Sequence, residues 1–376
     1  MDPLTLKTVT EYPLPASTQT HEIATPRPDL LLVSQQPDSA LLKVRLDASG
    51  RPVAVARHVI DGAFAGLHGL ALSTRHPGCV WATLQFTSQL LLLDPVGDDL
   101  DAPPRVLRRI PLPAPARGPH GVAEAGDHAW ASCKDSHHVV RVAVADPADI
   151  AVHPCAPRPI FVAVHPTSGD VYATLDRSSA LFRLQAGEGS TIAIPGDKGS
   201  TPVGMVPGPD GNLWFALLGD EQGGTGTFGR IRADGAVDWF TLKSGAAMGA
   251  AFIHVGFDPA AFSTPGAPER VYLLGSSMAA KMALNAVFEV GMSGGYARVE
   301  TQQTIALPSQ CSMSHRVLPT ARGVYVTELG ACAIAHLTPA SSPYGAGIDE
   351  QADPYALWGC GVPLPRFAWP GAGSAL

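Results

Sequence analysis

The sequence predicts an all-β fold: a seven-bladed β-propeller of four-stranded antiparallel blades, with an N-terminal strand closing the last blade. Three observations predict it. First, 39 Gly and 35 Pro among 376 residues leave little room for long helices, while a 45% hydrophobic content argues against disorder. Second, a short signature (an aromatic residue or Leu, two small or apolar residues, a variable residue) recurs seven times, led by Leu32, Trp81, Trp130, Tyr172, Trp214, Tyr272 and Tyr325. Third, the mean step between copies is about 49 residues, the spacing of propeller blades.

Each copy sits in the same frame. A short strand opens at His21, His68, His120, Ile160, Val203, Val255 and His315. A Gly/Pro/Asp turn follows, as in Pro207-Gly208-Pro209-Asp210-Gly211, then the signature strand. An alternating third strand comes next, such as Val139-Val140-Arg141-Val142, and a fourth ends in Pro, as in Arg109-Ile110-Pro111. Four short strands with turns between them make one blade. The seventh unit supplies only three strands, and Val9-Thr10-Glu11-Tyr12-Pro13 matches the missing fourth, so the chain start is expected to close the ring and remove its open edges. Residues 1–338 thus form the propeller, and 339–376 a Pro/Gly-rich tail packed on it or strapping it. No helical period alternates with the strands, which disfavours a TIM barrel.

A net charge of −7 and the lack of any Lys/Arg run argue against nucleic acid as a partner. No run of 18 apolar residues and no basic-then-apolar leader occurs, so neither a membrane span nor a signal peptide is expected, and a cytoplasmic location follows. The six cysteines form no CxxC pair and are expected to be reduced, partly buried thiols. A monomer or weak homodimer is expected.

In a propeller, the start of each inner strand and the end of the next strand meet around the central channel. Four of the seven openers are histidines, His21, His68, His120 and His315, out of only 13 in the chain. The signature strands close on Gln35 and Glu328, with Gln36, Gln85, Lys134 and Asp176 one step on. His315 and Glu328 share a repeat, and a carboxylate beside an imidazole would orient it and raise its basicity for acid/base work. Ile160, Phe161, Val203 and Val255, with Met205, Met248 and Met313 nearby, should make the opposite wall apolar. That profile fits a largely hydrophobic, oxygenated small molecule. The expected catalytic residues are His315, Glu328 and His120. The expected substrate-binding residues are His21, His68, Gln35, Gln85, Lys134, Ile160, Phe161, Val203, Val255 and Met313. His76, His128, His153 and His165 fall in turn or edge contexts and read as surface residues.

Val203-Gly204-Met205, Gly208-Pro209-Asp210-Gly211-Asn212-Leu213-Trp214-Phe215 and Phe228-Gly229-Arg230-Ile231 together resemble the repeat of the streptogramin B lyase (virginiamycin B lyase) family. Pro119-His120-Gly121-Val122 is similar to that repeat's opening, and the likeness spans roughly residues 8–337. The resemblance implies β-elimination that opens a cyclic depsipeptide, with magnesium, carboxylates and a histidine base in the last blades. His315 matches the base, and Glu328 matches a metal-binding glutamate within one residue. The position of the family's other metal-binding glutamate is Met313. The preceding blade's catalytic histidine aligns with Val255, or with His254 if the register slips by one. With that carboxylate replaced, no cofactor is expected; if magnesium is used, Glu328 would hold it. The chain is also similar to fungal lyase-like propellers that act as natural-product cyclases, including hetero-Diels–Alderases. The expected function is therefore metal-independent elimination or dehydration with cyclisation of an apolar, oxygenated secondary metabolite. The alternatives are a magnesium-dependent C–O lyase and a non-catalytic binding module.

Overall fold

The computed structural model describes residues 6–339 except 18 and 244. Twenty-eight strands form seven four-stranded antiparallel sheets, and two short 3-10 turns are the only helical elements among these residues. Blade one is Thr20–Arg27, Leu30–Gln35, Ala40–Leu46 and Pro52–Val59, from inside to outside. The inner strands of blades two to six are Leu67–Leu72, Pro119–Ala125, Pro159–Val164, Pro202–Pro207 and Phe252–Gly256. Blade seven is Ser314–Thr320, Gly323–Glu328 and Ala333–Pro339, completed on its outer edge by the chain start, Leu6–Pro13, paired antiparallel to Ala333–Pro339. The ring closes as the repeat count predicts, and the expected tail, apart from Pro339, lies outside the described residues.

The signature aromatics hold the blades together. Trp81, Tyr172, Trp214 and Tyr325 are fully buried. In blade five Asp210 accepts from Trp214 Nε1 at 3.0 Å and pairs with Arg230 at 3.1 Å. The Arg230 guanidinium lies 5.4 Å above the Trp214 ring, and Asp238 holds it from the other side at 2.6 Å. Blade four repeats the device with Asp170, Arg183 and Tyr172. Gly211 supplies the left-handed turn, with φ +75°, and a Cβ on Gly229 would meet the Phe215 ring at 2.3 Å. The Asp210–Trp214–Arg230 part of the motif that carries the family resemblance is therefore scaffold, while its opening residues Val203 and Gly204 face the inner-strand layers.

Every inner strand carries a bulge just after its start, between Thr20 and Ile23 in blade one and at the matching place in the other six. A bulge re-aims a side chain. The bulge also fixes the repeat register: the blade-six residue equivalent to His21 is Ile253, not Val255. Val255 lies two residues beyond that position, so its expected place as the opener goes to Ile253.

Two further expectations change. His165 is fully buried: it bonds the Ile231 carbonyl at 3.1 Å and accepts from the backbone of Thr167 and Ser168, so it is a core histidine. Cys79, Cys133, Cys155 and Cys332 are free thiols, but Cys311 is disulfide-bonded, so the expectation of reduced cysteines fails there. No helix among the described residues is long and apolar enough to cross a membrane.

Candidate functional site

The inner-strand bulges are stitched by a belt of hydroxyls. Ser34, Thr83, Ser132 and Thr327 each accept from the backbone N–H just after their own blade's opener, at 2.7–3.1 Å. Each then donates to the carbonyl of the next blade's opener: Ser34 to His68, Thr83 to His120, Ser132 to Ile160 and Thr327 to His21. Thr174 accepts from Phe161 N–H in the same manner. The belt stops where the equivalent residues are Ala216 and Leu274. It therefore runs through the blades that carry the four histidines and fixes their backbones against one another. The signature already carried this signal, as Ser or Thr at one fixed position in five of the seven copies.

The four opener histidines form one cluster. Ring centroids lie 3.8 Å apart for His68–His120, 4.4 Å for His21–His68, 4.8 Å for His21–His315 and 5.9 Å for His68–His315. All four are buried. Burial, reinforced by mutual repulsion and by Lys134, drives His21, His68 and His120 well below the ordinary imidazole value. His315 falls to about 3, mainly through burial and then the Arg316 charge. The cluster is thus neutral at physiological pH. The acceptors around it fix tautomers: His68 Nδ1 faces the His120 carbonyl at 3.2 Å, and His120 Nδ1 faces the Ile160 carbonyl at 3.1 Å. A carbonyl only accepts, so each Nδ1 carries the proton and each Nε2 keeps a bare lone pair.

One residue further along each inner strand lies a second layer: Glu22, Gly69, Gly121, Phe161, Gly204, His254 and Arg316. Its large side chains meet across the channel. Phe161 lies 6.2 Å from His120 and 5.8 Å from His254, and Arg316 stacks over Phe161 at 5.5 Å. The glycines leave the space: a Cβ on Gly204 would meet His254 at 2.5 Å, and one on Gly69 the His120 carbonyl at 2.3 Å. Sequence reading missed Glu22 and Arg316, although a charge directly after an opener is visible once the repeats are aligned.

These residues change the expected pairing. The carboxylate beside His315 is Glu22, with Oε1 3.6 Å from His315 Nδ1, and Arg316 holds its other oxygen at 3.2 Å. Glu328 instead accepts a hydrogen bond from Ser312 at 2.8 Å and feels the Glu11 carboxylate nearby. Burial, then Glu11, pushes it up to about 8, so it is a neutral acid at pH 7. The expected His315–Glu328 dyad is not formed. The magnesium set implied by the family resemblance does not fit either. Magnesium prefers several oxygen ligands; Met313 offers none, and no group of three acidic ligands converges among the described residues.

At the ends of the signature strands, Gln36 donates to Gln85 at 2.5 Å, and Arg158 pairs with Asp176 at 3.2 Å. Gln35 turns away and donates to the Pro15 carbonyl, which ties down the chain start. Lys134 acts electrostatically on all four histidines, and burial lowers its amine to about 8. Ile160, Phe161 and Val203 are buried, Met248 is exposed and Met205 sits in the core.

A seven-bladed propeller with four buried histidines clustered at the starts of its inner strands is the class that fold and site define. No protein-family profile and no curated protein sequence matches the chain. Solved structures do. A streptogramin B lyase structure shares 17% identity at a TM-score of 0.67, covering 89% of this chain and 98% of its own. A catalytically inactive virginiamycin B lyase from Staphylococcus aureus with quinupristin shares 15% at 0.66, covering 88% and 99%. YCF48 bound to a D1 peptide shares 15% at 0.59, covering 91% and 97%. At these identities the likeness is one of fold.

Proposed function

We propose that this propeller is a lyase-type enzyme that eliminates an oxygen leaving group from a small, largely apolar, oxygenated molecule at the histidine end of the channel. The observation that carries this reading is the placement of Lys134, which follows Cys133, the partner of Pro119, and donates its backbone N–H to the Gly118 carbonyl at 3.0 Å, two residues before His120. Its amine, at about 8, is the one group acting on the whole cluster that exists in both protonation states near neutral pH. As free amine it takes a proton from the carbon α to a carbonyl. The C–H electron pair becomes the new C=C bond, the C–O bond breaks, and the leaving oxygen keeps its pair. The ammonium can then return the proton to that oxygen. The imidazoles of His21, His68 and His120 accept hydrogen bonds from substrate hydroxyls, and Ile160, Phe161 and Val203 hold the hydrocarbon part. His315, at about 3, is too weak a base for the proton transfer and serves as a further acceptor. The streptogramin B lyase fold supports lyase chemistry at most. Cyclisation after dehydration is the finer reading of the same site, with the apolar wall orienting an electron-poor alkene.

The test is turnover of lactones, cyclic depsipeptides and β-oxygenated carbonyl compounds in isotopically labelled water. Elimination opens a ring without taking up solvent oxygen, and both Lys134→Met and His120→Ala should abolish it in folded protein. Incorporation of solvent oxygen, or full activity in both variants, would sink the proposal. A cyclised product would mark the finer reading, and no turnover of any compound would favour a binding module.

A further inference from the structure

We propose that His21, His68 and His315 form a binding site for one divalent transition-metal ion of borderline character, zinc foremost. One ring nitrogen of each lies within 4.8 Å of the other two, and all three residues are buried. Each ring also has a buried nitrogen with no hydrogen-bond partner: His21 Nδ1, His68 Nε2 and His315 Nδ1. Left empty, each such atom carries a desolvation cost of about 1–3 kcal/mol, which a ligand removes.

The surroundings are those of metal-ligating imidazoles. His21 Nε2 lies 2.7 Å from Gln19 Oε1, and His68 Nδ1 3.2 Å from the His120 carbonyl. Each acceptor holds the proton on the far nitrogen and leaves the near lone pair bare, as outer-sphere partners do in metal sites. Glu22 Oε1, also unpartnered, stands 3.6 Å from His315 Nδ1. The hydroxyl belt holds the three backbones in place from blade seven to blade two.

The donor set selects the metal. Three neutral imidazoles suit zinc, cobalt, copper or nickel, whereas magnesium wants oxygen. Three protein ligands also leave a fourth position of a tetrahedron open, as in catalytic rather than structural zinc sites. Bonds of about 2.1 Å require nitrogens roughly 3.4 Å apart, so the rings must turn inward by about an ångström. His120, ring to ring with His68 at 3.8 Å, stands next to the set. The site goes beyond the elimination reading: a bound ion would take the lone pairs of His21, His68 and His315 that the elimination reading gives to substrate and leave His120 as the free acceptor, and metal binding is read directly, without any substrate.

The experiment uses the full-length chain, stripped with a chelator and titrated with cobalt(II). Visible d–d absorption should saturate at one equivalent, be displaced by zinc and be unaffected by excess magnesium. His21→Ala and His68→Ala should each weaken cobalt binding by about 100-fold, and Gln19→Leu by about 10-fold. X-ray absorption on the zinc-loaded wild type does not depend on any variant folding, and should show imidazole nitrogen as the main ligand. Substoichiometric binding, affinity unchanged in folded His21→Ala and His68→Ala, or a ligand shell of oxygen or sulfur would overturn the assignment.

Discussion

Ser34 Oγ donates to the backbone carbonyl of His68 at 2.6 Å while accepting from the Glu22 N–H at 3.0 Å. One hydroxyl thus satisfies a bulged inner strand and pins the neighbouring blade. Ser34→Ala leaves a buried donor and a buried acceptor unpaired, and should lower unfolding free energy by about 1–3 kcal/mol in urea titrations. Ser34→Thr, which keeps the hydroxyl, should lose much less. Equal losses in the two variants would mean that packing, not the belt, sets the cost.

Acid should unfold this protein early. The buried histidines bind protons less readily folded than unfolded, so the stability tied to each is present above its ordinary value of 6.5 and is lost as pH falls. For His315 the window runs from about 6.5 down to about 3. Each such histidine makes the fold about 2 kcal/mol less stable at pH 5 than at pH 7. In His68→Gln that pH dependence should shrink by this amount, measured as urea unfolding at the two pH values.

Glu328 works in the opposite direction. Its carboxyl is raised to about 8, so its contribution is complete below the ordinary value of 4.5 and is lost as pH rises toward 8. Relative to wild type, Glu328→Gln should gain about 3 kcal/mol between pH 5 and pH 8. Parallel stability profiles would show that Glu328 is ionised in the native state.

If Lys134 is the base, kcat/KM should rise with pH through an apparent value near 8. Lys134→Met should lose the rate and its pH limb together. A limb that survives in Lys134→Met residual activity belongs to another group.

Asp210→Asn should cost about 3 kcal/mol, because it leaves Arg230 short of a buried partner above Trp214. Cobalt binding and substrate KM should stay unchanged, since blade five's motif supports the ring and does not touch the cluster. A selective loss of binding would mean that the motif reaches the site.

The seven-fold repeat, the blade count, the closing strand Leu6–Pro13 and the recurrence of histidine at four openers were all legible in the sequence, because they depend on periodicity and local strand patterning. Blade six was not: the run from Ala250 to Val255 holds five apolar residues and His254, which offers no alternation to fix register. Only the bulge and its pairing make Ile253 the opener. Partner choice was likewise decided in three dimensions. His315 and Glu328 are neighbours in one repeat, yet closing the ring brings Glu22 of blade one to His315 and leaves Glu328 with Ser312 and Glu11. The protonation states follow from the same closure. Burial and the charges gathered around the cluster, which no linear spacing records, keep the four histidines neutral and leave three of them, His21, His68 and His315, with bare nitrogens close together.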